Sequence, residues 1–342
     1  MMPDLSVVIV THRTRDIVRD CLRSLYEGGG LRGLNGAEVI LVDNASNDGT
    51  LEMARTEFPQ VRLIACEENV GFTGGNNRGI AQATGRNVLL LNPDTLVPEN
   101  TLARCVAFLE TLPANVAAMT CRVHSPDGSL QQECARRLPT PWSETSRALL
   151  LDRLFPRVDL FNRERFIGWD KRDARKVPCL HGCFMVIRRT ALETVGVLDD
   201  RFFLMYEEVD WCKRAGNAGW DLWFWPDEHI THIGGQWTKQ EPVIAYANSH
   251  VSAMIYFAKH HPRSVWWVRL ASRVGMELKI LLLRLNALRK PGDAYTTSHL
   301  QMALAARTTL RTGRTIRYGE WKSALSGAKN AEPAAPTGNT AS

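Results

Sequence analysis

The run Asn87-Val88-Leu89-Leu90-Leu91 gives way without transition to Asn92-Pro93-Asp94. A strand that is apolar on both faces must be covered on both, which places it in the middle of a sheet with helices above and below. Its polar end is then a strand terminus on the edge where open α/β sheets bind ligands. The pattern repeats along the first third of the chain. Leu5 to Val10 reads as a first strand leading to Thr11, Glu38 to Val42 as a second running into Asp43-Asn44-Ala45-Ser46-Asn47-Asp48-Gly49-Thr50, and Val61 to Ala65 as a third. Ile17 to Tyr26, Leu51 to Phe58 and Asn76 to Ala83 read as the intervening helices. The alternation implies an α/β fold with a mainly parallel central sheet flanked by helices, and polar clusters that converge at one edge.

Order is patchier downstream. Ser125 to Lys176 is rich in Arg, Pro and Trp with weak periodicity, and reads as a mobile flap or an acceptor-side insertion. His181 to Ile187 is a further strand, followed by a helix and a loop holding Glu207, Glu208 and Asp210. Beyond Gly235 the composition turns helical, and the last residues, 331–342, have the Ala, Pro, Thr, Gly and Ser of a disordered tail. A chain of 342 residues, 44% apolar, can bury a full core. Its net charge of +6 is uneven: from Trp266 onward there are twelve Lys or Arg against four Asp or Glu. No interleaved aromatic and basic motif accompanies that excess, so nucleic acid is not an expected partner.

The eight cysteines are scattered through apparent strands and helices, and no leader precedes the run at Leu5, which together suit a reducing, cytoplasmic compartment. Cys179-Leu180-His181-Gly182-Cys183 lacks a second ligand pair at zinc spacing. No apolar run approaches the ~18 residues that span a bilayer, so any membrane contact is peripheral.

Four motifs occur in one order: Val42-Asp43-Asn44-Ala45-Ser46-Asn47-Asp48-Gly49-Thr50, Asn69-Val70-Gly71-Phe72, Asn92-Pro93-Asp94 and Glu207-Glu208-Val209-Asp210-Trp211. Together they resemble glycosyltransferase family 2, with its GT-A fold, over roughly residues 5 to 240. The stretch from Asn69 to Gly79 is similar to the rhamnosyltransferase-like members that build cell-envelope polysaccharides on lipid carriers. The resemblance implies a catalytic domain over 1–240, with a nucleotide-sugar half over about 1–100 and an acceptor half over about 101–240. A helical, basic region over 241–330 and the tail follow.

The residues themselves suggest matching tasks. Asp43, after the second strand, can accept a hydrogen bond from a base N–H, and the resemblance assigns it to the nucleotide base; an Asx-turn capping the next helix is the structural alternative. Thr11, Asn44, Gly71, Asn77 and Asn92 are the other candidate nucleotide contacts. Gly71, Gly74 and Gly75 permit a backbone path closed to other residues, so that Asn69 to Asn77 wraps the nucleoside. A leaving diphosphate needs a hard divalent cation, Mg²⁺ or Mn²⁺, and a carboxylate at a strand end supplies oxygen to it. Asp94 is that ligand, although Asn92 stands where the family's usual Asp-x-Asp has its first carboxylate. The apolar run Phe202 to Tyr206 partly desolvates the acids that follow. The resemblance makes Glu208 the general base, one methylene longer than the usual Asp, with Glu207 its electrostatic or acceptor-binding neighbour. It also gives His232 a place at the metal or diphosphate. Trp220, Trp223 and Trp225 read as core rather than sugar platform.

The implied activity is an inverting transfer of a sugar from a nucleotide-diphosphate donor, dTDP-rhamnose first and UDP- or GDP-sugars second, to a hydroxyl of a glycan or lipid-linked glycan. A nucleotidyltransferase would need a glycine-rich basic signature that Thr11-His12-Arg13-Thr14-Arg15 does not supply. A binding protein without turnover is the third class. In the C-terminal helix, Arg269, Arg273, Glu277 and Arg284 gather on one side while leucines occupy much of the rest. Such a helix either lies in an anionic membrane interface at the inner face of the cell membrane or packs on the catalytic core.

Overall fold

The computed structural model describes residues 2–313. Over these, the early apolar runs become strands β1 (Leu5–Thr11), β2 (Ala37–Asp43), β3 (Arg62–Ala65) and β4 (Asn87–Leu91), lying side by side in the order β3-β2-β1-β4. All three of these pairings are parallel. Their register sets Thr11 beside Asp43 and Ile9 beside Leu91, so the polar segments that follow open along a common edge. Helices α1 (Arg15–Tyr26), α2 (Thr50–Glu57) and α3 (Gly71–Gln82) make the connections.

Helix α3 begins earlier than its periodicity suggests, and this changes the meaning of its glycines. Gly74, Gly75 and Gly79 lie within the helix rather than in a loop around a ligand. A Cβ on Gly75 would stand 2.6 Å from Val10 Cγ1, and one on Gly79 only 2.3 Å from Val8 Cγ1. These glycines let α3 press directly onto β1.

After β5 (Thr95–Leu96), α4 (Thr101–Thr111) and β6 (Val116–His124) come short pieces: β7 (Ala135–Arg136), α5 (Pro141–Ala148), α6 (Leu151–Leu154), β8 (Arg175–Lys176) and β9 (Cys179–Leu180). Then follow β10 (Phe184–Arg188), α7 (Arg189–Val195), α8 (Glu207–Asn217) and β11 (Asp221–His232). The sheet continues from β4 as β10-β6-β11-β5. Here β10 is antiparallel to both β4 and β6, whereas β11 is parallel to β6. The sheet is therefore mixed, with most of its paired length parallel, as expected. The excursion between β6 and β10 returns the chain at the ligand edge, where the Asn92 N–H donates to the Cys183 carbonyl at 3.0 Å, so β10 has to run back the other way.

The stretch read as a flap is packed along much of its length. A Thr140–Ser143 capping box and Pro141 start α5, which buries Ser143, Glu144, Thr145 and Ser146. Strands β7 and β9 pair antiparallel, with Arg136 opposite Cys179. The described residues end in α9 (Gln236–Gln240), α10 (Pro242–His260), α11 (Val265–Arg289) and α12 (Ala294–Thr312). Helix α11 meets α5 so closely that a Cβ on Gly275 would lie 2.0 Å from the Ala148 carbonyl oxygen. Helix α10 is tied to α8 through Asp210, which holds Arg214 at 2.8 Å and both Lys259 and His260 at 2.7 Å. All eight cysteines are buried free thiols. Trp220, Trp223 and Trp225 pack against the core, Trp225 stacking on Phe108 with ring centroids 4.5 Å apart. No helix among the described residues is long and apolar enough to cross a membrane. The proposed tail, 331–342, and the end of the basic run beyond Gly313 lie outside the described residues.

Candidate active site

The ends of β1, β2 and β4 form one wall of a cavity lined by Thr11, Asn44, Gly71, Asn92 and Asp94, and Gln236 and Thr238 of α9 close it from the other side. Thr11 shares a 2.8 Å hydrogen bond with Thr14. Asn44 is fully engaged: its amide donates to Asn69 Oδ1 at 2.9 Å and to the Gly71 carbonyl at 3.0 Å, and its oxygen accepts from the Val70 N–H at 2.9 Å. It fixes the entrance to α3 rather than offering free donors. Gly71, at φ +79°, adopts a backbone conformation that favours glycine, and a Cβ there would fall 2.4 Å from the Phe203 carbonyl oxygen.

Asp43 stands at the end of β2, buried just behind the cavity wall. One carboxylate oxygen accepts from the Ser46 N–H at 3.4 Å, as the Asx-turn alternative requires, but Oδ1 is buried with no partner among the described residues. Asn92 Oδ1 is likewise buried and unpartnered. Buried acceptors are seldom left so, and these two belong to strand-end clusters that face the same edge. Asn77 differs. Its side chain binds the Leu198 backbone at 2.8 and 3.1 Å and Asp200 at 2.7 Å, away from the cavity, so it braces α3 against the turn after α7.

Asp94 and His232 meet at the floor. Gln131 donates its amide N–H to the His232 carbonyl at 2.7 Å, which turns its oxygen toward His232 Nδ1 at 2.9 Å. In that network Nδ1 carries the proton and Nε2 is an acceptor, receiving the Asn92 amide N–H at 3.3 Å. Yet Nε2 also lies 3.2 Å from Asp94 Oδ1. Two acceptors held at that distance suit a cation shared between them. With no cation present, a proton on Nε2 takes its place and donates to Asp94; burial pushes the carboxyl up, but that bond and the Gln236 backbone N–H outweigh it and hold the group below its ordinary range. Among the described residues no three His, Cys, Asp or Glu side chains gather to hold a metal unaided. A cation here would take its remaining ligands from phosphate oxygens and water.

Glu207 and Glu208 open α8, whose first-turn dipole favours negative charge. They do not line that cavity. They lie beyond a pair of imidazoles, His232 and His181, whose ring centroids are 6.0 Å apart. Burial drives the His181 imidazole down to about 4, so it is neutral. The next residue, Gly182, lies against Glu208, within 3.5 Å of its Cβ once a Cβ is built on the glycine. From the other side, Arg136 on β7 reaches Glu208 Oε1 at 3.0 Å and Glu164 at 3.6 Å. Burial, reinforced by the charge of Glu208, pushes the Glu207 carboxyl well above its ordinary range, so one acid of the pair holds its proton while its neighbour is matched to a guanidinium. Sequence reasoning missed Arg136, His181 and Gln131. His181 lay in view, but only as part of a cysteine-flanked run, and the other two sit in stretches without periodicity.

The comparisons bear on this geometry. A family model described as "Glycosyl transferase family 2" matches residues 6–196. An N-acetylglucosaminyl-diphospho-decaprenol L-rhamnosyltransferase of Mycobacterium tuberculosis is 28% identical over 84% of this chain and 94% of its own length. A low-salt glycan biosynthesis hexosyltransferase of Haloferax volcanii is 26% identical over 63% of this chain and 62% of its own. Among solved structures, a Pyrobaculum calidifontis mannosyltransferase in complex with GDP-Man and Mn²⁺ aligns over 91% of this chain and 88% of its own, with a TM-score of 0.53 and 20% identity. That likeness shows a shared GT-A fold. With the family model spanning the strand-end clusters and a rhamnosyltransferase similar over most of its length, the chain belongs to glycosyl transferase family 2.

Proposed function

We propose that the protein is an inverting glycosyltransferase that moves rhamnose from dTDP-rhamnose to a hydroxyl of a lipid-linked saccharide, in the cytoplasm, during cell-envelope polysaccharide synthesis. A UDP- or GDP-sugar is the second choice of donor. The rhamnosyl donor and the lipid-linked acceptor are supported by the mycobacterial relative, whose name carries both, and by the motif likeness from Asn69 to Gly79. The eight free thiols suit a reducing compartment.

The observation that carries the reading is the close approach of Asp94 Oδ1 and His232 Nε2, 3.2 Å apart beside the strand-end cavity. Asp94 and His232 would hold a Mg²⁺ or Mn²⁺ ion, which supplies charge to stabilise a departing diphosphate. Asp43 Oδ1 is free to accept the N–H of a pyrimidine or purine base. Thr11 and Gly71 shape the walls of the nucleoside pocket.

Glu208 is the general base. It takes the proton of the acceptor hydroxyl as that oxygen attacks the anomeric carbon on the face opposite the leaving group, and a single displacement inverts the centre. Arg136 keeps the Glu208 carboxylate oriented, and the protonated Glu207 has a hydroxyl to donate to the acceptor sugar. Purified protein offered dTDP-rhamnose, UDP-sugars and GDP-sugars, with and without Mn²⁺, should transfer from one donor class only when the ion is present. Asp94→Ala should lower that turnover about 100-fold, the scale of losing a charge-stabilising group. Ion-independent transfer, or full activity in the variant, would reject the assignment.

A further inference from the structure

Helix α11 faces two ways. Its inner side, Val268, Ser272, Gly275, Met276 and Ile280, is buried against α5 and its neighbours. The leucines that might have joined this side are turned outward instead: Trp266, Leu270, Val274, Leu281, Leu285 and Leu288 are between 47% and 79% exposed. Their spacing of three, four or seven residues puts them in one stripe, and 22 residues of rise make it about 33 Å long. Arg269, Arg273 and Arg284 fall along one edge of the stripe, and Arg289 and Lys290 close its end. The single acid of the helix, Glu277, is taken by Arg311 at 3.0 Å and Arg307 at 3.7 Å of α12.

We infer that this stripe is a docking face for an anionic lipid bilayer. A broad apolar stripe with a cationic margin and an aromatic residue at its end is the combination that partitions into a charged membrane interface. The charge selects the occupant. A second copy would bring arginine-edged faces together, with Glu277 already committed. Residues 314–342 carry four Lys or Arg against two acids, so they share the sign of the face.

The test is co-sedimentation of the full chain with vesicles of phosphatidylcholine alone and of phosphatidylcholine with one-quarter phosphatidylglycerol. Binding should be at least tenfold stronger to the anionic vesicles and should weaken with salt. Leu281→Gln/Leu285→Gln and, separately, Arg269→Glu/Arg284→Glu should each cut it at least tenfold, with thermal melting unchanged because these side chains are exposed. No wild-type binding, or binding indifferent to lipid charge and to both variants, overturns the proposal. So does a leucine variant that changes the mass in solution while vesicle binding is kept, since that assigns the face to a second copy. Vesicle binding without transfer from any donor would instead sink the transferase reading and leave the docking face standing.

Discussion

In the parallel half of the sheet, buried polar atoms at the strand ends are left open: among the described residues Asp43 Oδ1 and Asn92 Oδ1 find no partner, and Asp94 is met only by His232, which reaches in from β11. Across β10 the buried charges are answered from within. Glu208 has Arg136, Glu144 has Arg147, which also bonds the Tyr206 hydroxyl at 2.7 Å, and Asp210 has Arg214, Lys259 and His260. An unpaired buried polar group costs about 1–3 kcal/mol, so the first half holds free energy that a ligand can recover on binding, whereas the second is organised before any ligand arrives. Among the acids Glu207 is an exception on that side, with Oε2 buried and unpartnered, and Asp152 Oδ1 is another.

The contrast can be broken at its strongest point. If Glu208 is a base already in place, Glu208→Gln should lower kcat about 1,000-fold while leaving the donor's Kd within twofold, measured by single-turnover kinetics and calorimetry. A large loss of donor affinity would mean that the two halves are not separable. On the open side the opposite split is expected. Asp43→Ala should weaken donor binding about tenfold, the worth of one hydrogen bond of ~1.4 kcal/mol, and change kcat little. A change in kcat alone would place Asp43 with the chemistry instead of the base.

The smallest effect sharpens the Glu207 exception. Because the Glu207 carboxyl is raised by burial and by Glu208, the folded protein binds its proton more tightly than the unfolded chain does. That contribution is complete below the ordinary Glu value of about 4.3 and is lost as pH climbs toward the raised one. Glu207→Gln should therefore melt about 2 °C above the wild type at pH 8 and level with it at pH 4.5. Equal melting at both values would mean that Glu207 is not held protonated.

Much of the first half was legible because its strands are short, apolar on both faces and cut off by polar clusters, a signal that needs no tertiary context. The clusters at Asp43 and Asn92 were found the same way. What failed there was Gly74 and Gly75: a glycine run looks alike whether it loops around a ligand or presses a helix onto a strand, and only the 2.6 Å clearance from Val10 decides. Asn77 was misplaced for the same reason, since its register on α3 turns it toward Leu198. The second half was harder. Arg136 stands beside Glu208 only because β7 pairs with β9, a two-residue contact between segments some 40 residues apart, and no local pattern announces it. The amphipathic character of α11 was visible, but not which side would meet the protein. Gly275 and Ser272 settle that, since small residues allow the close approach to α5 that leucines would block.

The eight thiols shut inside this protein have one more consequence. Each is shielded from a bulky alkylating reagent while the chain is folded, and they are spread from Cys21 on the first helix to Cys212 on the eighth. The order in which they become labelled under mild denaturant would therefore show which layers of the sheet come apart first, without introducing a single foreign probe.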